Sequence, residues 1–232
     1  MPPERLWGVV PAAGIGRRMG GDRPKQYLPL AGRTVLEHSV ARLLDHPAVA
    51  AVAVARRDDD PYWPTLPLAG DERVIAAPGG AERMHSVLNG LRALPAADDD
   101  WVLVHDAARP CLRRADLEAL VAALAGHPIG GLLALPMADT VKRVADGEVL
   151  ETVDRSPLWR ALTPQMFRYR LLREALEAAL EAGVVVTDEA QAVERRGLRP
   201  RVVEGSADNL KITRPGDLEL AELFLRRMGA EA

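Results

Sequence analysis

Short apolar runs bounded by Gly, Pro or Asp alternate along this chain with longer segments whose apolar residues recur at helical spacing. No other feature constrains the fold as strongly. The pattern is that of βαβ units around a mainly parallel sheet, because adjacent parallel strands need a crossover long enough to hold a helix. It predicts strands over 6–10, 49–55, 74–77, 101–105, 131–135 and 201–203. Helices are predicted over 34–44, 82–94, 116–125 and 169–182, with more helical pattern after 187–189 and a last helix over about 215–228. In the first helix Val35, Leu36, Val40, Leu43 and Leu44 form the apolar stripe. The Pro-rich stretch 58–67 and the acidic run 97–100 read as surface loops, and no internal repeat is visible. With 232 residues and 48% hydrophobic content, one core suffices, so a single three-layer, Rossmann-like α/β domain over 1–232 is expected.

One segment breaks the alternation. Residues 140–145 and 148–153 are two β-type runs joined by Asp146-Gly147, a strong hairpin signal. Both faces carry polar side chains (Lys142, Arg143, Glu148, Glu151), so the hairpin is expected to project from about 138–158 as an arm that grips a partner subunit. The alternative is a solvated hairpin, and Lys142 reads as a solvated arm residue.

The formal net charge of -3 provides no general attraction for nucleic acid or an anionic membrane, so an anionic ligand must be held by a local group of cations. Only Lys25, Lys142 and Lys211 among the 30 basic residues are not arginine. A chain that uses Arg for its generic cations makes each Lys worth asking about, because a compact ammonium does not replace a planar guanidinium. The single cysteine, Cys111, excludes an internal disulfide framework or a multi-cysteine metal site and reads as a small buried or half-buried thiol. Residues 1–5 lack the regions of a secretory signal, and no run approaches the ~18 apolar residues that cross a bilayer. A cytoplasmic location is expected.

The chemistry concentrates after the first strand, in Pro11-Ala12-Ala13-Gly14-Ile15-Gly16-Arg17-Arg18-Met19-Gly20 and the following Pro24-Lys25-Gln26. Small residues let backbone N–H groups approach a triphosphate, while Arg18 and Lys25 neutralise its charge. A dinucleotide fingerprint would need Gly at Met19, and a Walker loop would need Gly-Lys-Ser/Thr after the fourth spacer. A second concentration is His105-Asp106-Ala107-Ala108-Arg109-Pro110, at the carboxyl end of a strand buried on both faces, where open α/β sheets bind their ligands. A carboxylate there needs a partner. Asp106 reads either as a Mg²⁺ ligand facing phosphate or as a structural group paired with Arg109, and His105, with no second His or Cys nearby, as a structural histidine.

The runs PAAGIGRRMG, PKQY, GGAER, VHDAARP, TVDRSPLWRALTPQ, TDEAQAVE and DNLKITRP resemble the 2-C-methyl-D-erythritol 4-phosphate cytidylyltransferases of the non-mevalonate isoprenoid pathway, and the similarity extends over about 6–225. The resemblance implies a nucleotidyltransferase fold, a homodimer clasped through the arm, CTP and a small phosphorylated polyol as substrates, and a divalent cation such as Mg²⁺. It implies attack by the substrate phosphate on the α-phosphorus of CTP. The residues matching Arg18 and Lys25 then stabilise the transferring phosphoryl group, and those matching Arg155 and Lys211 hold the attacking phosphate. Pro11, Ala12, Ala13, Gly14, Gly16, Gly80, Arg83, Ser86, Asp106 and Ala107 match the nucleotide site. Asp106, Arg109, Thr140, Arg155, Thr163, Thr187 and Lys211 match the substrate pocket. For Ser86 a helix-surface hydroxyl is the other reading, and Ala81 stands where family members often have Asp. Two further readings stay open: a cytidylyltransferase for another polyol phosphate such as ribitol 5-phosphate, and a catalytically silent nucleotide-binding protein.

Overall fold

The structure is a computed structural model and describes residues 5–14 and 23–230. Its frame is a seven-stranded sheet built from β1 (Leu6–Pro11), β4 (Val49–Arg56), β5 (Val74–Pro78), β6 (Trp101–Val104), β7 (Gly130–Pro136), β10 (Trp159–Arg168) and β11 (Arg201–Glu204), in the order β11-β7-β10-β6-β1-β4-β5. Every neighbour pair is parallel except those made by β10, which runs antiparallel to both β6 and β7. A small hairpin, β2 (Pro29–Leu30) with β3 (Arg33–Thr34), leads into the first helix.

The period of two along β1 divides the core. Leu6 and Val10 point to one face, where α1 (Val35–Leu44) and α3 (Arg114–Leu124) cover them; Trp7 and Val9 point to the other, against α2 (Arg83–Ala93), α4 (Tyr169–Glu181) and α5 (Glu189–Glu194). Two glycines set how closely these layers approach. A Cβ on Gly8 would stand 2.7 Å from a Val52 methyl and 3.0 Å from Leu43, and one on Gly90 of α2 would stand 2.6 Å from Val9. Helix α1 starts where expected because Thr34 and Glu37 form a capping box, with Glu37 N donating to Thr34 Oγ1 at 3.2 Å and Thr34 N donating to Glu37 Oε2 at 2.7 Å. A third apolar cluster, including Ala108, Cys111 and Ile212, docks the last helix, α6 (Pro215–Ala230). Cys111 is fully buried, as expected, and burial pushes its thiol up to about 12.

Two departures from expectation matter. The long strand β10 carries no alternating pattern, and Pro164 argues against a central strand. It is accommodated because the register between β10 and β7 shifts between Ala161 and Gln165, where the ladder needs no N–H. The stretch 58–67 is not merely a surface loop. Its Asp60 and Trp63 are buried, Tyr27 stacks on Tyr62, and the Tyr27 hydroxyl donates to Asp60 Oδ2 at 2.5 Å. A hydrogen-bonded carboxylate beneath aromatic rings is what lets so polar a segment fold inward.

The arm forms as expected from β8 (Val141–Ala145) and β9 (Glu148–Val153), which pair only with each other through a turn with positive φ at Asp146 and Gly147. It leaves the sheet between β7 and β10, at the end where the parallel strands finish. Lys142 is exposed and donates to Thr152 Oγ1 at 2.6 Å. The arm also carries exposed Val144, Val149 and Leu150, at 54%, 60% and 62%. Among the described residues, no helix is long and apolar enough to cross a membrane.

Candidate active site

The parallel strands β1, β4, β5 and β6 finish at Pro11, Arg56, Pro78 and Val104, and a cleft of about 860 Å³ opens beyond these ends. Its walls include the loop Pro11, Ala12, Ala13 and Gly14 on one side and Asp106, Ala107 and Lys211 on the other. Lys25, Gly80, Arg83 and Ser86 line it as well. Eleven residues expected from sequence therefore meet in one concavity. The open end of such a sheet is where ligands are bound, because helix N-termini and loop N–H groups converge there.

The loop after β1 is shaped from below by Gln26. Its side-chain amide donates to the carbonyls of Ala12 at 2.7 Å and Gly14 at 2.8 Å, which ties down two carbonyls of the loop. Gln26 is a contributor that sequence reasoning missed; its place between Lys25 and Tyr27 was the available signal. Lys25 reaches toward the opposite side, donating to the Ile212 carbonyl at 2.7 Å. Gly16 and Arg18 lie outside the described residues.

Asp106 is the electrostatic centre. Its Oδ1 accepts from Arg83 Nε at 3.2 Å, and its Oδ2 accepts from Arg109 Nε at 3.2 Å and pairs with the Lys211 ammonium at 2.9 Å. Burial alone would raise its pKa, but the three cations overcome that and hold the carboxyl far below the usual carboxylate range. The pairing expected with Arg109 is present, joined by two more that were not anticipated. The Asp106 backbone N–H donates to Thr163 Oγ1 at 3.0 Å, and His105 Nδ1 stands 3.0 Å from the same hydroxyl. With His105 Nε2 2.9 Å from the Arg109 carbonyl, one arrangement satisfies every atom: Nε2–H donates to Arg109, and the Thr163 hydroxyl donates to Nδ1. That is a neutral, structural imidazole, and burial lowers its pKa to about 4.

Arg83 does more than sequence reasoning assigned. Its Nη1 and Nη2 donate to Glu189 Oε1 at 2.5 Å and Oε2 at 3.1 Å, and Glu189 is wholly buried at the start of α5. Ser86 is no helix-surface hydroxyl; it is buried, and its Oγ accepts the Gly80 N–H at 3.0 Å, so it shapes the GGAER loop from within. Arg57, for which no role was expected, lines the rim and is held bidentate by Asp59 at 2.9 and 2.6 Å.

Five expected residues are not in the cleft wall. Arg109 and Thr163 are buried behind Asp106, where Arg109 Nη1 donates to the Asn209 carbonyl at 2.7 Å and Asn209 Nδ2 donates to the Thr163 carbonyl at 2.8 Å. Thr187 is exposed just before α5, with its N–H on Gln191 Oε1 at 2.6 Å. Thr140 and Arg155 flank the arm and are exposed, Arg155 donating to the Ala138 carbonyl. Among the described residues, no group of three or more His, Cys, Asp or Glu gathers in a way that could hold a metal ion without help from a ligand.

Comparison with known proteins gives a consistent result. A family model described as 2-C-methyl-D-erythritol 4-phosphate cytidylyltransferase matches residues 6–227. The protein of that description from Pseudomonas fluorescens (strain SBW25) is 58% identical over 227 residues, covering 95% of this chain and 97% of its own. Among solved structures, the one of that description from Francisella tularensis is 36% identical with a TM-score of 0.84, covering 95% of this chain and 99% of its own. That from Thermus thermophilus is 34% identical with a TM-score of 0.80, covering 96% and 99%. With the strand order, the cleft and the Asp106 cluster already in view, a match across nearly the whole chain leads to one conclusion: the chain belongs to the 2-C-methyl-D-erythritol 4-phosphate cytidylyltransferase family.

Proposed function

We propose that the chain transfers CMP from CTP to 2-C-methyl-D-erythritol 4-phosphate, releasing pyrophosphate and giving 4-diphosphocytidyl-2-C-methyl-D-erythritol for isoprenoid precursor synthesis. The observation that carries this reading, in a chain of that family, is the Asp106–Lys211 pair facing the Pro11–Gly14 loop across one cleft. A phosphate oxygen of the acceptor attacks the α-phosphorus of CTP, the bond from that phosphorus to the β-bridging oxygen breaks, and pyrophosphate leaves with the electron pair. The attacking oxygen is already ionised near neutral pH, so no general base is needed, and positioning and cation placement supply the acceleration.

Each residue then has a task. The Pro11–Gly14 backbone and Gly80 hold the nucleotide, with Ser86 bracing Gly80 and Ala107 closing the floor. Lys25 and Arg18 offset charge on the phosphoryl group, and Lys211 with Arg155 aligns the acceptor phosphate. Arg109 and Thr163 act from behind, by fixing Asp106. The exposed Thr140, Arg155 and Thr187 meet the acceptor only if another surface closes over them. A second copy of the chain clasped through the arm, whose Val144, Val149 and Leu150 need cover, provides that surface.

The reading of Asp106 as a Mg²⁺ ligand does not fit its surroundings: its carboxylate is already paired with Arg83, Arg109 and Lys211, so a divalent ion would be held by the nucleotide's own phosphate oxygens and water. Held in that way, the ion would neutralise phosphate charge. We place this chemistry in the cytoplasm, where CTP is available.

The test is pyrophosphate release by the purified chain across the four nucleoside triphosphates, with and without methylerythritol phosphate, in buffer with and without Mg²⁺. CTP and methylerythritol phosphate together should be required. Faster turnover with ribitol 5-phosphate, or CTP binding without turnover of any acceptor, would refute the proposal.

A further inference from the structure

Glu189 is a completely buried ionisable side chain behind Arg83 of the cleft wall, and neither motif reasoning nor the chemistry above gives it a role. As a stability device it is poorly chosen, because a buried ion pair is often no better than well-packed apolar residues of the same volume. Its geometry suggests a different purpose. Both carboxylate oxygens face the Nη1–Nη2 edge of Arg83, at 2.5 and 3.1 Å, and this leaves Nε as the single Arg83 nitrogen bonded to Asp106. A guanidinium without such a restraint is built to grip a carboxylate by both oxygens. Arg83 would then compete for Oδ2, the oxygen on which Lys211 rests at 2.9 Å.

Glu189 is also fixed in the chain. It is the first residue of α5, whose start is pinned from β10 by Gln165, which donates to Asp188 Oδ2 at 3.0 Å and accepts the Ala190 N–H at 2.8 Å. Thr187 sits two residues before it, tied to the same helix through Gln191. The Arg83–Glu189 pair is thus a strut between the start of α2, which closes the nucleotide loop, and the start of α5, which presents Thr187.

We infer that Glu189 is a positioning residue for the transfer reaction: by occupying one edge of Arg83 it keeps Asp106 Oδ2 for Lys211 and holds the nucleotide and acceptor sides of the cleft in register. This rests on the proposed function. Glu189 touches neither substrate, so its loss acts on alignment and not on nucleotide affinity.

The experiment is steady-state kinetics of pyrophosphate release for wild type, E189Q, D106N and E189Q/D106N, with thermal unfolding of each. Glutamine keeps the shape and an acceptor for Arg83 but removes the charge. In E189Q, kcat should fall at least ~10-fold well below the melting temperature while the KM for CTP changes less than ~3-fold, as expected when a misplaced group costs rate rather than binding. The double variant should be no slower than D106N, because both changes act through one carboxylate. If E189Q does not fold, R83Q/E189Q removes both buried charges and keeps an amide pair, and it should fold with low kcat. Wild-type kcat in folded E189Q or R83Q/E189Q, or losses that multiply in E189Q/D106N, would overturn the inference alone. A wild-type chain that turns over no acceptor would overturn the functional reading and this inference with it.

Discussion

The Lys211 ammonium lies 2.9 Å from Asp106 Oδ2 and remains partly open to the cleft, whereas Arg109, on the same oxygen, is buried behind it. One oxygen therefore has a buried cation and one that reaches the cleft. Removing Lys211 leaves Asp106 paired with Arg83 and Arg109, so the fold should persist. We expect Lys211→Ala to unfold close to the wild-type temperature and to lose ~10²-fold or more in turnover, the size seen when one preorganised donor is removed. Pyrophosphate release beside a melting curve checks both. Equal activity would show that this ammonium does not align the acceptor.

Lys25 lines the cleft of its own chain, but Arg155 is exposed at the base of the arm. If the arm completes a neighbouring site, Lys25→Ala and Arg155→Ala proteins should each be nearly inactive alone. Mixed and allowed to exchange subunits, they should recover about one quarter of wild-type activity, because random reassortment makes half the dimers hybrid and each hybrid has one intact site. No recovery despite demonstrated exchange would place Arg155 in the site of its own chain.

His105 is buried as a neutral ring with its pKa lowered to about 4, while in the unfolded chain it titrates near its ordinary 6.5. Between those values the unfolded state holds more protons, so acid favours unfolding and stability rises with pH. The full window corresponds to up to about 3 kcal/mol. Denaturant midpoints from pH 7 down to 4 should fall steeply in wild type and less steeply in His105→Asn, even though that variant starts from lower stability. Parallel curves would mean that His105 does not drive the acid sensitivity.

Beyond the packing of its ring, Tyr27 contributes to stability through its hydroxyl. Among the described residues its hydroxyl is the one side-chain donor on Asp60 Oδ2, at 2.5 Å, while Oδ1 accepts from the backbone of Tyr62 and Trp63. Tyr27→Phe strands that oxygen beneath the aromatic rings and should cost about 1–3 kcal/mol in chemical denaturation. A change within error would show that Oδ2 is reached by water.

The layered α/β fold was legible because burying an element's apolar face demands a matching period. Strand β6 is apolar throughout because both of its faces are covered, and the stripe of α1 repeats at helical spacing because one side meets the sheet. The hairpin arm was legible for a local reason too, since Asp146-Gly147 supplies the positive φ its turn requires. Strand β10 was not, because Pro164 hides it and only the irregular pairing with β7 explains how it fits.

Sequence by itself also picked out side chains that meet in the cleft: Pro11–Gly14, Lys25 and Asp106 from the loop after the first strand and the end of a buried one, and Gly80 and Lys211 from the family resemblance. What only the tertiary structure decided is how their charges are shared. Three cations from separate segments converge on Asp106, and Glu189 on α5 restrains one of them, Arg83, 106 residues away in the chain. Local pattern specifies which face an element buries, but an ion pair depends on distances of a few ångströms between elements. Those distances exist only after the sheet and both helix layers have packed.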